Sequence, residues 1–496
     1  MDDVLIVGAG TAGCVLAARL SEDAARRVTV VEAGPDFADE AALPEALRHG
    51  DGGGFDAGLH AVVCDGRTAP LARGRVVGGS SQVNGCGAMR ALPADFDAWA
   101  ARGLPEWSWT GVLDAYRRLE TDRDFPGAPH HGDRGPVPIA RPDPDRLSAP
   151  ERGFLDAVLA SGHAYRADMN APGAVGIGPY PQNRRRRVRM SANLTHLAPA
   201  RARPNLTVRT DTRADRIVVR DGRAVGIEAD GELIAAREVI CCAGVPMTPA
   251  LLLRSGIGPA GELRAVGIDP VADLPAVGTG VYDQPGAVVP CRPAPGMTSD
   301  DPVMTRLIGR LAAIPGHPRD DGFYLNLFCG ADPYEGEPVS AIMIGDMYPA
   351  GRGSITLTGA GTGRPVPAVD LGFYTAPGDL DRMRAAYRYA WALAAHPEFA
   401  KTITGIAMID DAVVADDERL DEALRAMTFS RGALLGGARM GGGAGDSVVD
   451  AHCRVHGVAG LRVVDLSVVP VPLRAPTAID AMMLGERTAG WIAAGR

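Results

Sequence analysis

Val4-Leu5-Ile6-Val7-Gly8-Ala9-Gly10-Thr11-Ala12-Gly13 is the stretch that decides the fold. Four apolar residues read as a buried strand, and the glycines that follow read as a turn opening a helix. Gly8 permits the tight turn, Gly10 lets the main chain approach a pyrophosphate, and Gly13 lets the helix pack on the strand. The free N–H groups at the helix start then favour phosphate. A second apolar strand, Val28-Thr29-Val30-Val31, ends in Glu32, 19 residues beyond Gly13. That spacing suits a carboxylate accepting from a ribose hydroxyl. Together these features predict a β-α-β nucleotide-binding unit over residues 1 to 35.

The 496 residues exceed one simple core, and 46% hydrophobic with 22% charged residues is the composition of a globular protein. A net charge of −9 argues against nucleic acid as a partner. Arginine carries almost all the positive charge; Lys401 is the one lysine, which leaves little scope for Schiff-base chemistry. Eight cysteines, from Cys14 to Cys453, form no C-x-x-C pair. They suggest buried small side chains, with neither a metal site nor a disulfide framework. No apolar run is long enough to span a membrane, and the nucleotide strand sits at the N-terminus, so a cytoplasmic protein is expected.

Further along, Asp51-Gly52-Gly53-Gly54 reads as irregular, and Gly78-Gly79-Ser80-Ser81-Gln82-Val83-Asn84 suits backbone lying against a cofactor. Residues 110–120 read as an amphipathic helix, and 125–150, rich in Pro, Asp and Arg, as an exposed connection. The run Arg184-Arg185-Arg186-Arg187-Val188-Arg189 reads as a solvated or anion-facing turn. Asp221-Gly222 predicts a hairpin between two strands. A strand over 238–242, helices over 249–254 and 479–493, and a strand over 461–465 complete the pattern.

These blocks resemble the glucose-methanol-choline (GMC) oxidoreductases over the whole chain. The resemblance is carried by the N-terminal glycines with Glu32, by Arg73 through Asn84 to Trp99, by Thr248 to Gly258, and by Arg454 to Pro470. Val245 departs from the pattern, where a small residue is usual. The resemblance implies FAD and an α/β architecture. A Rossmann-like FAD-binding domain is expected over 1–140, 181–290 and 441–496. An α+β substrate-binding domain is expected over 141–180 and 291–440. It further implies that Gly8, Gly10, Thr11, Ala12, Gly13, Glu32 and Ala33 hold the ADP half. Gly78, Gly79, Ser80 and Asn84 would lie along the pyrophosphate and flavin, and Ala243 and Asp465 would close the site. Gln82 occupies part of the stretch where some relatives carry a linking histidine, so covalent attachment there is not expected.

The resemblance breaks at the chemistry. Family alcohol oxidation pairs hydride transfer to the flavin with a histidine and a second histidine or asparagine. Counted from the block ending Arg439-Met440-Gly441, the first position is Ala433; the second, counted back from Met482 and Glu486, is Ala478. Neither alanine can move a proton. A shifted register would place Ser430 or Arg431 there instead, and Cys86, Tyr180, His196 and Tyr282 are candidate substitutes. His452 reads as a loop residue and His456 as structural. Three functions follow. The first is an FAD-dependent oxidoreductase with a rebuilt site, acting on a specialised, hydrophobic small molecule of biosynthesis, with dioxygen as a possible acceptor. The second is a redox-neutral flavoprotein of the same fold (lyase, isomerase, cyclase or photodecarboxylase), and the third a degenerate binding protein.

Overall fold

Within the central strand Asp2–Val7, the residues Val4 to Val7 are all apolar and buried because both faces are covered, as expected of parallel strands inside an α/β layer. The structure is a computed structural model that describes residues 2–48, 52–297, 305–314, 322–331, 337–359 and 364–496. Asp51 of the glycine-rich stretch lies outside the described residues.

Asp2–Val7 pairs in parallel with Val28–Val31 on one side and with Glu232–Cys241 on the other. Leu206–Arg209 extends the sheet beyond Val28–Val31, and Leu461–Val463 joins Glu232–Cys241 in parallel register. Arg223–Ala229 and Ala214–Arg220 then add antiparallel strands, making seven among the described residues. Their connection is the expected two-residue hairpin: Asp221 and Gly222 both have positive φ, 49° and 72°. That is the geometry whose twist matches the strands.

Gly13 sits where the helix Thr11–Leu20 touches the strand, and a Cβ there would lie 2.0 Å from the Gly8 carbonyl oxygen. On its other side the same helix is covered by Ala478–Ala493, which approaches through Gly485: a Cβ at 485 would lie 2.9 Å from the Ala12 carbonyl oxygen. The helix expected over 110–120 runs Trp109–Leu119 and buries Val112, Tyr116 and Leu119.

A second sheet is antiparallel throughout: Ile403–Ile406, Pro285–Pro293, Pro338–Asp346, Phe323–Ala331, Leu307–Leu311 and Gly176–Pro179, in that order. The two-residue strand Phe429–Ser430 lies beside Pro285–Pro293. One face buries Leu325, Leu327, Ile342 and Ile344 against the helices Ala149–Ala160 and Asp379–Ala395. Tyr324 alternates to the opposite face and packs with Tyr180. The chain therefore has two domains, one built on each large sheet. A five-stranded sheet joins Leu59–Cys64 and Arg67–Leu71 to Gly353–Thr358, Val366–Asp370 and Thr279–Val281.

Two expectations are corrected. Residues 125–150 are not simply an exposed connection. Val137–Ile139 is a buried strand, and the Arg141 guanidinium is buried between Asp122 and Asp168 at 2.9 and 2.7 Å. The arginine run does make a turn, Arg184–Arg185 pairing with Val188–Arg189, but Arg189 is not solvated. Its guanidinium donates to the carbonyl oxygens of Leu47, Gln82 and Asn84. Charge composition could not separate this inward arginine from its exposed neighbours.

The antiparallel sheet is tied to its helical layer by a buried bidentate pair: Arg382 donates to both Asp346 oxygens, at 2.8 and 2.7 Å. Asp346→Ala removes this bidentate pair from the interior and should destabilise the protein by about 3–5 kcal/mol. The urea unfolding midpoint checks this.

Candidate active site

A cavity of about 710 Å³ opens where the C-terminal ends of the parallel strands meet the antiparallel sheet. This is the crevice in which open α/β sheets bind ligands. One wall is the Gly8–Ala12 turn. The helix Thr11–Leu20 starts at Gly10 with no side-chain cap, so its first N–H groups face the cavity along Gly10, Thr11 and Ala12. Gly79 closes over this turn: a Cβ on it would lie 2.7 Å from the Gly10 Cα. Ser80 and Asn84 continue the wall.

Glu32 and Ala33 line the same end. The Glu32 carboxylate accepts from the N–H groups of Ala9 (3.0 Å) and Gly34 (2.9 Å). Burial pushes its carboxyl up to about 7 despite these donors. On the far side, Ala243 and Asp465 line the cavity. Asp465 accepts from the Gly244 N–H, the Thr248 hydroxyl and the Ser467 N–H, and burial raises its pKa.

Gly13 and Gly78 stand behind the lining. Gly13 seats the helix, and Gly78, at φ 99°, donates its N–H to the Ala9 carbonyl. Ala433 and Ala478 both face the cavity, Ala478 as the first residue of the last helix. The Ala433 N–H donates to Asp283, which also takes the Ser430 hydroxyl. No histidine lines the cavity among the described residues.

Of the proposed substitutes, Tyr180 and Arg431 reach the cavity. Burial holds the Tyr180 phenol well above its ordinary pKa. The Tyr282 hydroxyl donates to the Pro470 carbonyl, and its ring lies under Arg352. His196 is buried beside Thr195, and burial lowers its pKa to about 3. Cys86 is buried outside the lining. His456 bonds to Ser447 and His452 packs on Trp491, both away from the cavity. Gln284, Asp230 and Arg364 also line it and are not expected from the sequence. They arrive from separate segments, and no local motif marks them.

Comparison with known proteins gives two family matches. The N-terminal GMC oxidoreductase model matches residues 2–286 and the C-terminal one residues 349–485. The chain is similar to 5-(hydroxymethyl)furfural oxidase of Methylovorus sp., with 34% identity covering 98% of each chain. It is also similar to the chloroplastic fatty acid photodecarboxylase of Chlamydomonas reinhardtii, with 32% identity over 98% of this chain and 90% of that one. Among solved structures it resembles a formate oxidase of Aspergillus oryzae, determined to study modification of its FAD. The TM-score there is 0.90 at 25% identity, covering 100% of this chain and 98% of the other.

The Glu32 carboxyl stands near 7 in the fold and near its ordinary 4.5 when unfolded. The raised value means that its contribution to stability is fully present below pH 4.5 and is lost as pH rises through 7. Protein stripped of cofactor should therefore lose stability between pH 5 and 7.5, and Glu32→Gln should flatten that slope in urea unfolding.

Proposed function

The chain belongs to the GMC oxidoreductase family and is an FAD-dependent enzyme, and from that premise we propose that it oxidises a specialised, hydrophobic small molecule without the family's histidine and histidine-or-asparagine pair. The observation that carries this reading is the cavity lining: Ala433 and Ala478 stand at the two positions, and no histidine lines the cavity among the described residues.

The residues present fit FAD. An uncapped helix start beside glycines whose Cβ atoms would strike neighbouring backbone forms a cradle for a pyrophosphate. In this reading Gly10, Thr11, Ala12, Gly79 and Ser80 hold the phosphates, and Glu32 and Ala33 the adenosine ribose. Gly8, Gly13 and Gly78 shape the turns. Asn84, Ala243, Asp465 and Ala478 border the flavin. FAD supplies a hydride acceptor there. The two alanines leave a roomier, more apolar space than polar side chains would, which suits a bulky substrate.

Losing a positioned base slows a reaction by about 10²- to 10⁴-fold when proton removal limits it. The substrate we propose therefore has an activated C–H bond or an already acidic proton. Dioxygen is the proposed acceptor, and a cytoplasmic biosynthetic step the proposed setting. No described helix is long and apolar enough to cross a membrane.

A second reading, redox-neutral chemistry on the same flavin, is favoured by the 32% identity to a fatty acid photodecarboxylase and by the same two alanines. Anaerobic mixing with fractionated host metabolites separates the two. Bleaching of the oxidised-flavin band with stoichiometric product supports oxidation. Product over many turnovers without bleaching and without an acceptor supports the second reading. In either case Ala433→His with Ala478→Asn should lower native turnover at least tenfold by crowding the cavity, as measured in steady-state assays of FAD-loaded protein.

A further inference from the structure

Arg431 reaches the cavity by an unusual route. It leaves the short strand Phe429–Ser430 and crosses its neighbour Pro285–Pro293 and the next strand, Pro338–Asp346. Its guanidinium carbon ends 3.1 Å from the centre of the Tyr324 ring on Phe323–Ala331. The crossing is possible because the two strands between carry glycine at the paired positions Gly286 and Gly345. A Cβ on Gly286 would lie 2.8 Å from the Arg431 Cγ, and one on Gly345 would lie 2.7 Å from its Cδ. Neither glycine has a positive φ, so turn geometry does not require them. What they leave is a groove shaped for this side chain.

At the end of that groove the charge is uncompensated. Among the described residues no carboxylate pairs with Arg431, and its Nη1 is sealed from solvent with no hydrogen-bond partner. The nearby Arg73 shows the contrast: Asp283 and Asp56 offset it, and it donates to the Val245 and Gly432 carbonyls. A guanidinium that is half-buried, with one nitrogen shut from water and no carboxylate beside it, is left in want of an anion. With Nη1 closed off and the ring of Tyr324 against its face, the remaining in-plane edge, Nε and Nη2, is a fork that matches a carboxylate. The Tyr324 hydroxyl interacts with that of Tyr180, which also lines the cavity.

We propose that Arg431 is the anion anchor of this cavity, and that the substrate is an organic acid whose carboxylate pairs with the guanidinium while its apolar body extends toward Ala433 and Ala478. The proposal deepens the functional reading and rests on this cavity being the substrate site. The groove fixes the stem of the arginine beforehand, so little side-chain entropy is lost on binding.

The test is equilibrium binding to the FAD-loaded protein. Acetate, benzoate and decanoate are each compared with the corresponding primary amide, by flavin difference spectra and by calorimetry. At least one acid should bind tenfold or more tightly than its amide. Arg431→Gln should weaken that acid at least tenfold and the amide less than twofold, with FAD content unchanged. Arg431→Lys, which keeps the charge and loses the fork, should fall between. Equal binding of every acid and its amide would overturn the proposal, as would an acid preference that survives in Arg431→Gln. A changed flavin midpoint potential in that variant, with the acid preference intact, would assign the arginine to the flavin instead. Acid binding with no product would leave the anchor standing and refute catalysis in this cavity. Turnover of neutral alcohols with no acid preference would do the reverse.

Discussion

Backbone laid directly against backbone, with no side chain between, is the constraint on which the cavity depends. A Cβ on Gly34 would lie 2.2 Å from the Arg75 carbonyl oxygen, and one on Gly74 would lie 2.5 Å from that of Gly79. With the contact of Gly79 on Gly10, these approaches draw three distant segments into one wall. Any larger residue must displace main chain, which has nowhere to go in an interior packed to crystal density. Arg189 fastens the wall from behind through the carbonyls of Gln82 and Asn84.

Buried carboxylates do the complementary work. Glu32, Asp465 and Asp283 each collect donors from the loops around them: Ala9 and Gly34; Gly244, Thr248 and Ser467; Ala433 and Ser430. An unpaired buried N–H is expensive, so an acid that satisfies two or three at once holds a loop firmly. The same engagement withdraws these acids from proton transfer. The polarity near the two alanines is thus spent on architecture, while the free charge comes from Arg431.

What could be read in the residues was local. The N-terminal glycine turn, the Asp221-Gly222 hairpin and the helix Trp109–Leu119 are set by neighbours within a few positions, and all three lie where the periodicity and turn chemistry predict. The two alanines were found by counting from flanking blocks, and both face the cavity. What escaped depends on strand pairing. Gly286 and Gly345 stand opposite each other only once two strands far apart in sequence are in register, so nothing near Arg431 announces its groove. Likewise Arg141 and Arg189 resemble their exposed neighbours in every respect except the partners the fold brings to them.

The cover supplied to the first helix by the last has a consequence for the life of the chain before it is finished. Thr11–Leu20 packs against Ala478–Ala493, and Glu232–Cys241 gains one neighbour from Leu461–Val463. At a ribosomal pace of roughly 5–20 residues per second, the opening strand and helix wait roughly 20 to 90 s for the segment that closes over them. Throughout that interval an apolar helix face and an open parallel sheet edge are bare. The need for a chaperone therefore lasts until Ala478–Ala493 emerges, and a ribosome stalled late in the message would release a chain with Thr11–Leu20 still uncovered.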